Sequence, residues 1–125
     1  MTAYLFLVVA AGGFVGAPCR YLLDRAVSER IVSELPWGTF VINVSGAFLL
    51  GLLTGLTLVH HLSPLGMGLV GTGFCGAYTT FSTFTFETVR LVEDGRILEA
   101  AANVVASVLI GLAAAGGGVA LGLAL

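Results

Sequence analysis

The chain has 125 residues, 58% of them hydrophobic and only 10% charged. Soluble domains carry about a quarter of their residues as charges, so this composition, with a mean hydropathy of +1.05, excludes an ordinary soluble fold. Five Arg, no Lys and seven acids leave a net charge of -2, and without a basic patch nucleic acid is excluded as a partner.

The charges are clustered. Residues 1–19, 35–59, 62–86 and 100–125 carry none. A membrane-spanning helix needs roughly 17–25 mostly apolar residues. The chain therefore reads as one all-α transmembrane domain, 1–125, with four helices over about 3–27, 37–59, 64–90 and 97–125. The first is a retained helix rather than a signal peptide: it lacks a basic start, and Arg20 stands where a small-residue cleavage site would be needed.

In the first helix Gly12 and Gly16 form a GxxxG pair, which lets a neighbouring helix approach closely in a membrane. Arg20, near the end of the apolar run, has two readings. It is an interfacial anchor whose charged tip reaches water, or a cation that faces a vestibule or pins the third helix. Residues 28–35 form a polar loop, and Pro36-Trp37 reopens the membrane, with tryptophan at the interface.

In the second helix Thr39, Asn43, Gly46 and Ala47 share one face. An amide in lipid is costly without a partner, so Asn43 is either an interhelical hydrogen bonder or a pore-lining donor. Gly51 and Gly55 form a second packing pair. His60 and His61 lie in the following turn, as solvated polar residues.

The third segment is the unusual one. Gly71, Gly73 and Gly76 precede Tyr78-Thr79-Thr80-Phe81-Ser82-Thr83-Phe84 within an uncharged run. Glycine in a helix interior costs about 1 kcal/mol against alanine, so a break is expected here. Membrane segments that break their own helix line a cavity or bind an ion. Phe81 and Phe84, three apart, share a face beside Ser82 and Thr83. Glu87 closes the apolar run. In the fourth helix Asn103, Ser107 and Gly111 form a polar, small-residue stripe, and the glycines of 116–118 and Gly122 permit close packing. Cys19 and Cys75 lack metal-type spacing and read as buried small hydrophobes. Nothing resembles a catalytic constellation, so an enzyme is not expected.

The order of these motifs resembles the Fluc/CrcB fluoride channel family over essentially the whole chain. The matching stretches are Gly12-Gly13-Phe14-Val15-Gly16-Ala17 with Arg20-Tyr21, Gly38 through Gly46 running into Leu50-Gly51, and above all Gly73 through Phe84. The resemblance implies an antiparallel, dual-topology-type dimer in a bacterial plasma membrane, with two fluoride pathways lined by both subunits. It implies passive export of cytoplasmic fluoride, which lowers fluoride toxicity. It also implies a structural, non-transported Na+ at the dimer interface, held by the backbone carbonyls of Gly76 and Thr79. By motif position Phe81 and Phe84 present ring edges to fluoride, Ser82 and Thr83 form a hydroxyl track, and Asn43 and Ser107 line the pore. Arg20 and Glu87 take vestibule or structural places. Asn103 departs from the pattern, which often has a tyrosine there.

Fluoride is small and strongly hydrated. A pore must replace its water with hydroxyls, amides and the positive edges of aromatic rings and still let the ion leave. With four spans, Arg25, Arg30, Arg90 and Arg96 all fall on one side. Arg and Lys bias sets orientation, so both termini are expected outside. This allows a subunit of fixed orientation paired with an oppositely oriented paralogue, beside the dual-topology homodimer. Two rival readings are a small multidrug-type transporter, which would need an intramembrane carboxylate, and a non-conducting partner subunit.

Overall fold

A computed structural model describes residues 2–125, and every regular element in that range is helical. Helix α1 spans Ala3–Arg30 and α2 spans Trp37–His60. The third apolar run is divided. A single turn, α3 (Pro64–Gly66), leads into a π-helical stretch, Met67–Cys75, and then a short α4 (Gly76–Tyr78). Thr79 and Thr80 are extended, and α5 covers Phe81–Glu93. Helix α6 spans Ile97–Ala124. Helices α1, α2 and α6 are each long and apolar enough to cross a membrane. No single piece of the third run is, because its longest helix has 13 residues.

Helix α1 outlasts its expected end and takes in residues assigned to the loop. An exposed Arg25–Glu29 pair at 2.8 Å with i,i+4 spacing joins the added residues to the expected helix, a favourable arrangement on a helix surface. At the other end of α2, His61 closes the helix in the left-handed conformation, with φ 51°.

Two helix pairs make the body. Helix α2 lies along α6, and α1 lies against the π-helical stretch and α4. Both contacts are backbone to backbone. A Cβ added to Gly12 would sit 3.0 Å from the Gly73 Cα and 2.8 Å from the Phe74 nitrogen. One added to Gly118 would sit 2.8 Å from the Leu52 nitrogen. Both GxxxG pairs therefore work as expected, Gly12/Gly16 against the third segment and Gly51/Gly55 against α6. Gly116 and Gly117 do not, since both face open space.

Helix α5 stands apart from the two pairs. It leans mainly on α6, and Leu91 is its buried residue. The loops on either side of the α1–α2 and α5–α6 connections meet at one end, where Arg96 pairs with Glu34 at 3.4 Å and with Glu99 at 3.6 Å. Exposed pairs of this kind add little stability. They do show that the arginine-rich connections lie at the same end, as a count of four spans predicts.

Candidate functional site

The glycines do not break the third helix. The chain stays wound through Gly71, Gly73 and Gly76 and opens at Thr79–Thr80. Of the three, Gly73 lets α1 come close: a Cβ there would lie 3.0 Å from the Gly12 Cα. What sustains the opening is a partner for each backbone group of Thr79 and Thr80, as irregular backbone in a membrane requires. The Thr79 N–H donates to the Cys75 carbonyl at 2.9 Å, and so does the Thr79 hydroxyl. The Thr80 N–H donates to Asn43 Oδ1 at 2.8 Å, while Asn43 Nδ2 donates to the Thr80 carbonyl at 2.9 Å. Arg20 Nη1 donates to the Thr79 carbonyl at 3.3 Å.

Asn43 thus makes the interhelical hydrogen bond and also borders the cavity at the break, and one amide serves both polar groups of Thr80. Arg20 takes the pinning role and holds the open backbone from α1. The Thr80 N–H would bond the Gly76 carbonyl if the helix continued. Because it turns to Asn43, the Gly76 oxygen loses that donor, as carbonyls at a helix end do.

Past the break, Thr80 caps α5. Its hydroxyl accepts from the Thr83 N–H at 3.2 Å and donates to Thr83 Oγ1 at 3.0 Å. Ser82 Oγ lies 3.4 Å from Thr80 Oγ1. The hydroxyls of Thr80, Ser82 and Thr83 form a cluster at the positive end of a helix. The Phe81 and Phe84 rings lie 6.0 Å apart, tilted by 44°. Phe81 is 79% exposed although it is a large apolar ring.

An open cavity of about 600 Å³ lies beside the break and is lined by Asn43, Gly76, Thr79, Thr80 and Phe81, with no charged side chain among its walls. Thr80 also lines a second cavity of about 190 Å³ with Arg20, Asp24, Thr39 and Thr83. Asp24 continues into a third, of about 330 Å³, which reaches Glu87 and the loop before α2. The Thr39 hydroxyl donates to Glu87 Oε1. A series of cavities therefore runs from the arginine-rich end to the break, with Thr80 at the junction.

The fold gathers Asn43, Gly76, Thr79 and Phe81 at one cavity and Arg20 with Thr83 at the next. Glu87 sits at the outer, polar end. Ser82, Phe84 and Ser107 line neither of the two inner cavities. Ser107 is half-buried on α6, one turn from the buried Asn103.

Sequence reasoning missed Thr80 as the junction, although a threonine before a helix-competent run is the usual N-cap signal. It also missed Tyr78, which is buried, stacks on Phe74 at 5.3 Å and meets Ser45 Oγ at 2.8 Å. No local pattern marks that pair. For a cation, Gly76 and Thr79 supply the right donor type, neutral oxygens on an uncharged wall. The Gly76 carbonyl is short of a donor, whereas the Thr79 carbonyl already accepts from Arg20.

Comparison with known proteins gives the same direction. A family model described as CrcB-like protein, Camphor Resistance (CrcB), matches residues 7–119. The chain is 54% identical over 114 residues to a "Fluoride-specific ion channel FluC 1" of Streptomyces avermitilis, covering 91% of this chain and 92% of that one. It is 46% identical over 115 residues to a "Fluoride-specific ion channel FluC 2" of Mycobacterium bovis, covering 92% and 88%. A "Fluoride-specific ion channel FluC" of Shewanella oneidensis is 46% identical over 99 residues, covering 79% and 80%.

Proposed function

This chain belongs to the CrcB-like family, and from that premise we propose that it is a fluoride-specific channel, which lets cytoplasmic fluoride leave down its gradient and so limits fluoride toxicity. It is a multi-pass protein of the bacterial plasma membrane and not an enzyme. The observation that carries the reading is the series of cavities ending at the Thr79–Thr80 opening. Donors suited to a small hard anion border it: the Thr80 and Thr83 hydroxyls and, on the exposed face, the Phe81 ring, with Ser82 Oγ 3.4 Å from the Thr80 hydroxyl. The cavity at the break has no carboxylate, which argues against a proton-coupled multidrug-type transporter.

The remaining parts of the proposal follow. The composite run from Pro64 to Glu93 is a fourth crossing, since the loops at both its flanking pairs share one end. The open face around Phe81 meets a second subunit in antiparallel orientation, which closes each pathway and covers an aromatic ring otherwise left bare. A structural Na+ sits between the subunits on the Gly76 and Thr79 carbonyls, with Gly76 the oxygen that lacks a helical donor. Phe84 and Ser107 complete the pathway beyond Phe81, on the side of α6.

Liposomes that contain only this protein test the channel. Fluoride efflux without chloride leak is expected, and Phe81→Ile should lower it about tenfold or more while the dimer persists on size exclusion. Absence of fluoride efflux, with or without a paralogous subunit, would sink the channel reading. The one-sided arginines further predict that a tag at either terminus is accessible from outside the cell. Equal labelling from both sides would replace the fixed-orientation, paralogue-paired subunit with a dual-topology homodimer. The numbered names FluC 1 and FluC 2 among the relatives favour paralogues.

A further inference from the structure

One buried amide is not used by the site described above. Asn103 on α6 is 6% exposed, one turn past Glu99 in the first part of the uncharged run. Its Nδ2 donates to Thr88 Oγ1 at 2.9 Å. The Thr88 hydroxyl in turn donates to the Phe84 carbonyl at 2.8 Å. An amide on one helix is thus linked through a hydroxyl to the backbone of a phenylalanine on the next. Helix α5 is otherwise tied to α2 by polar contacts, through Thr39–Glu87 and through Asn43 at its Thr80 cap. Its packing is mainly on α6, and Leu91, nearly two turns past Phe84, is its buried anchor.

The space around Asn103 is open on its other side. An apolar cavity of about 210 Å³, lined by Trp37, Phe40, Ala106 and Ile110, borders it. That cavity lies between α2 and α6, so Asn103 has its polar partner on the α5 side; with Leu91 as the one buried residue of α5, apolar packing sets the rotation of α5 on α6 only weakly. Buried hydrogen bonds fix geometry where apolar contact does not, because an unmade bond in a low-dielectric setting is costly.

We propose that Asn103 is a positioning residue: through Thr88 it sets the rotation of α5 on α6 and so the direction in which the Phe84 ring, and with it the Phe81–Phe84 pair, faces the ion. Asn103 itself does not touch fluoride in this arrangement. The inference rests on the channel reading and assigns a task to a position where the family pattern is not followed.

The test uses the purified full chain in liposomes, with Thr88→Val, Asn103→Leu, the double variant and Thr88→Ser. Thr88→Val removes both bonds at nearly constant shape, and Thr88→Ser keeps both. Fluoride flux per folded dimer is expected to fall about tenfold in Thr88→Val and in Asn103→Leu. The double variant should fall no further than either single one, because the two residues form one linkage. Thr88→Ser should stay within about twofold of the parent.

Amide hydrogen exchange of α5, read without fluoride, should quicken in the two single variants and not in Thr88→Ser. The inference is overturned if flux in Thr88→Val and Asn103→Leu equals the parent's, if their losses multiply, if Thr88→Ser is as impaired as Thr88→Val, or if α5 exchange is unchanged. A parent protein that passes no fluoride defeats the channel reading instead, a result distinct from a conducting parent with indifferent variants.

Discussion

Asn43→Leu is expected to abolish fluoride flux and to cost the fold roughly 2–6 kcal/mol, the sum of two unsatisfied backbone groups at about 1–3 kcal/mol each. Leucine matches the amide in size, so the change is almost purely one of hydrogen bonding. The Thr80 N–H would lose Oδ1 and the Thr80 carbonyl would lose Nδ2. Both groups belong to an extended residue in the proposed fourth crossing, where water does not replace the lost partner. The cheapest response is to close the helix through Thr79–Thr80 so that the Thr80 N–H bonds the Gly76 carbonyl. That would swing α5 about the break and take the Phe81 ring away from the cavity.

Asn43→Asp separates the two consequences. A carboxylate still accepts from the Thr80 N–H but donates nothing to its carbonyl, and it places negative charge beside the path of an anion. Its stability loss should be smaller than that of Asn43→Leu, with flux lost all the same. Denaturant titration in detergent alongside liposome efflux reads both quantities. Parental stability in Asn43→Leu would mean that the amide does not support the opening.

Residue by residue, what was legible in the sequence depended on how locally each feature is determined. The spans were legible because burial in lipid excludes charge over a whole turn-by-turn stretch, and residues 35–59 or 100–125 show that without any neighbour. The close helix contacts were legible at Gly12/Gly16 and Gly51/Gly55, where i,i+4 spacing puts two glycines on one face. The same composition misled at Gly116 and Gly117, because a run of glycines does not say which of them faces α2; only Gly118 and Gly122 do.

The break itself was legible in existence and not in place. Helix propensity pointed to the glycines, but propensity is a weak term beside partners. The extended pair is stabilised by Asn43, 37 positions away, and by Arg20, 59 positions away. The contacts that Asn43 and Arg20 make were not legible either. Neither side chain could be assigned before it was known which backbone groups the third helix leaves free.

The other large effect is expected at Gly16. Gly16→Val should disrupt assembly of the subunit, because any side chain there would run into the Phe74 backbone: an added Cβ would lie 3.1 Å from its carbonyl carbon and 3.2 Å from its Cα, with the carbonyl oxygen closer still. The atoms in the way are main chain, which cannot rotate aside as a side-chain tip does. Overpacking of a tight contact costs about 1–3 kcal/mol, occasionally more, and this one lies between α1 and the π-helical stretch along which α1 packs.

The damage should reach the site through geometry. Arg20 is one turn beyond Gly16 on the same face of α1, and its 3.3 Å bond to the Thr79 carbonyl is already long for N–H···O. Pushing α1 outward by even a fraction of an ångström would release it and leave that carbonyl without a partner. Gly13→Ala is the matched control. Its new Cβ would meet the Ala77 Cβ at 3.7 Å, an ordinary contact. Folded yield on size exclusion and fluoride flux per folded protein are the measurements. Gly16→Val should lose most of both, and Gly13→Ala should keep both near the parent. If Gly16→Val folds and conducts as the parent does, the close approach of α1 is dispensable and Arg20 does not depend on it.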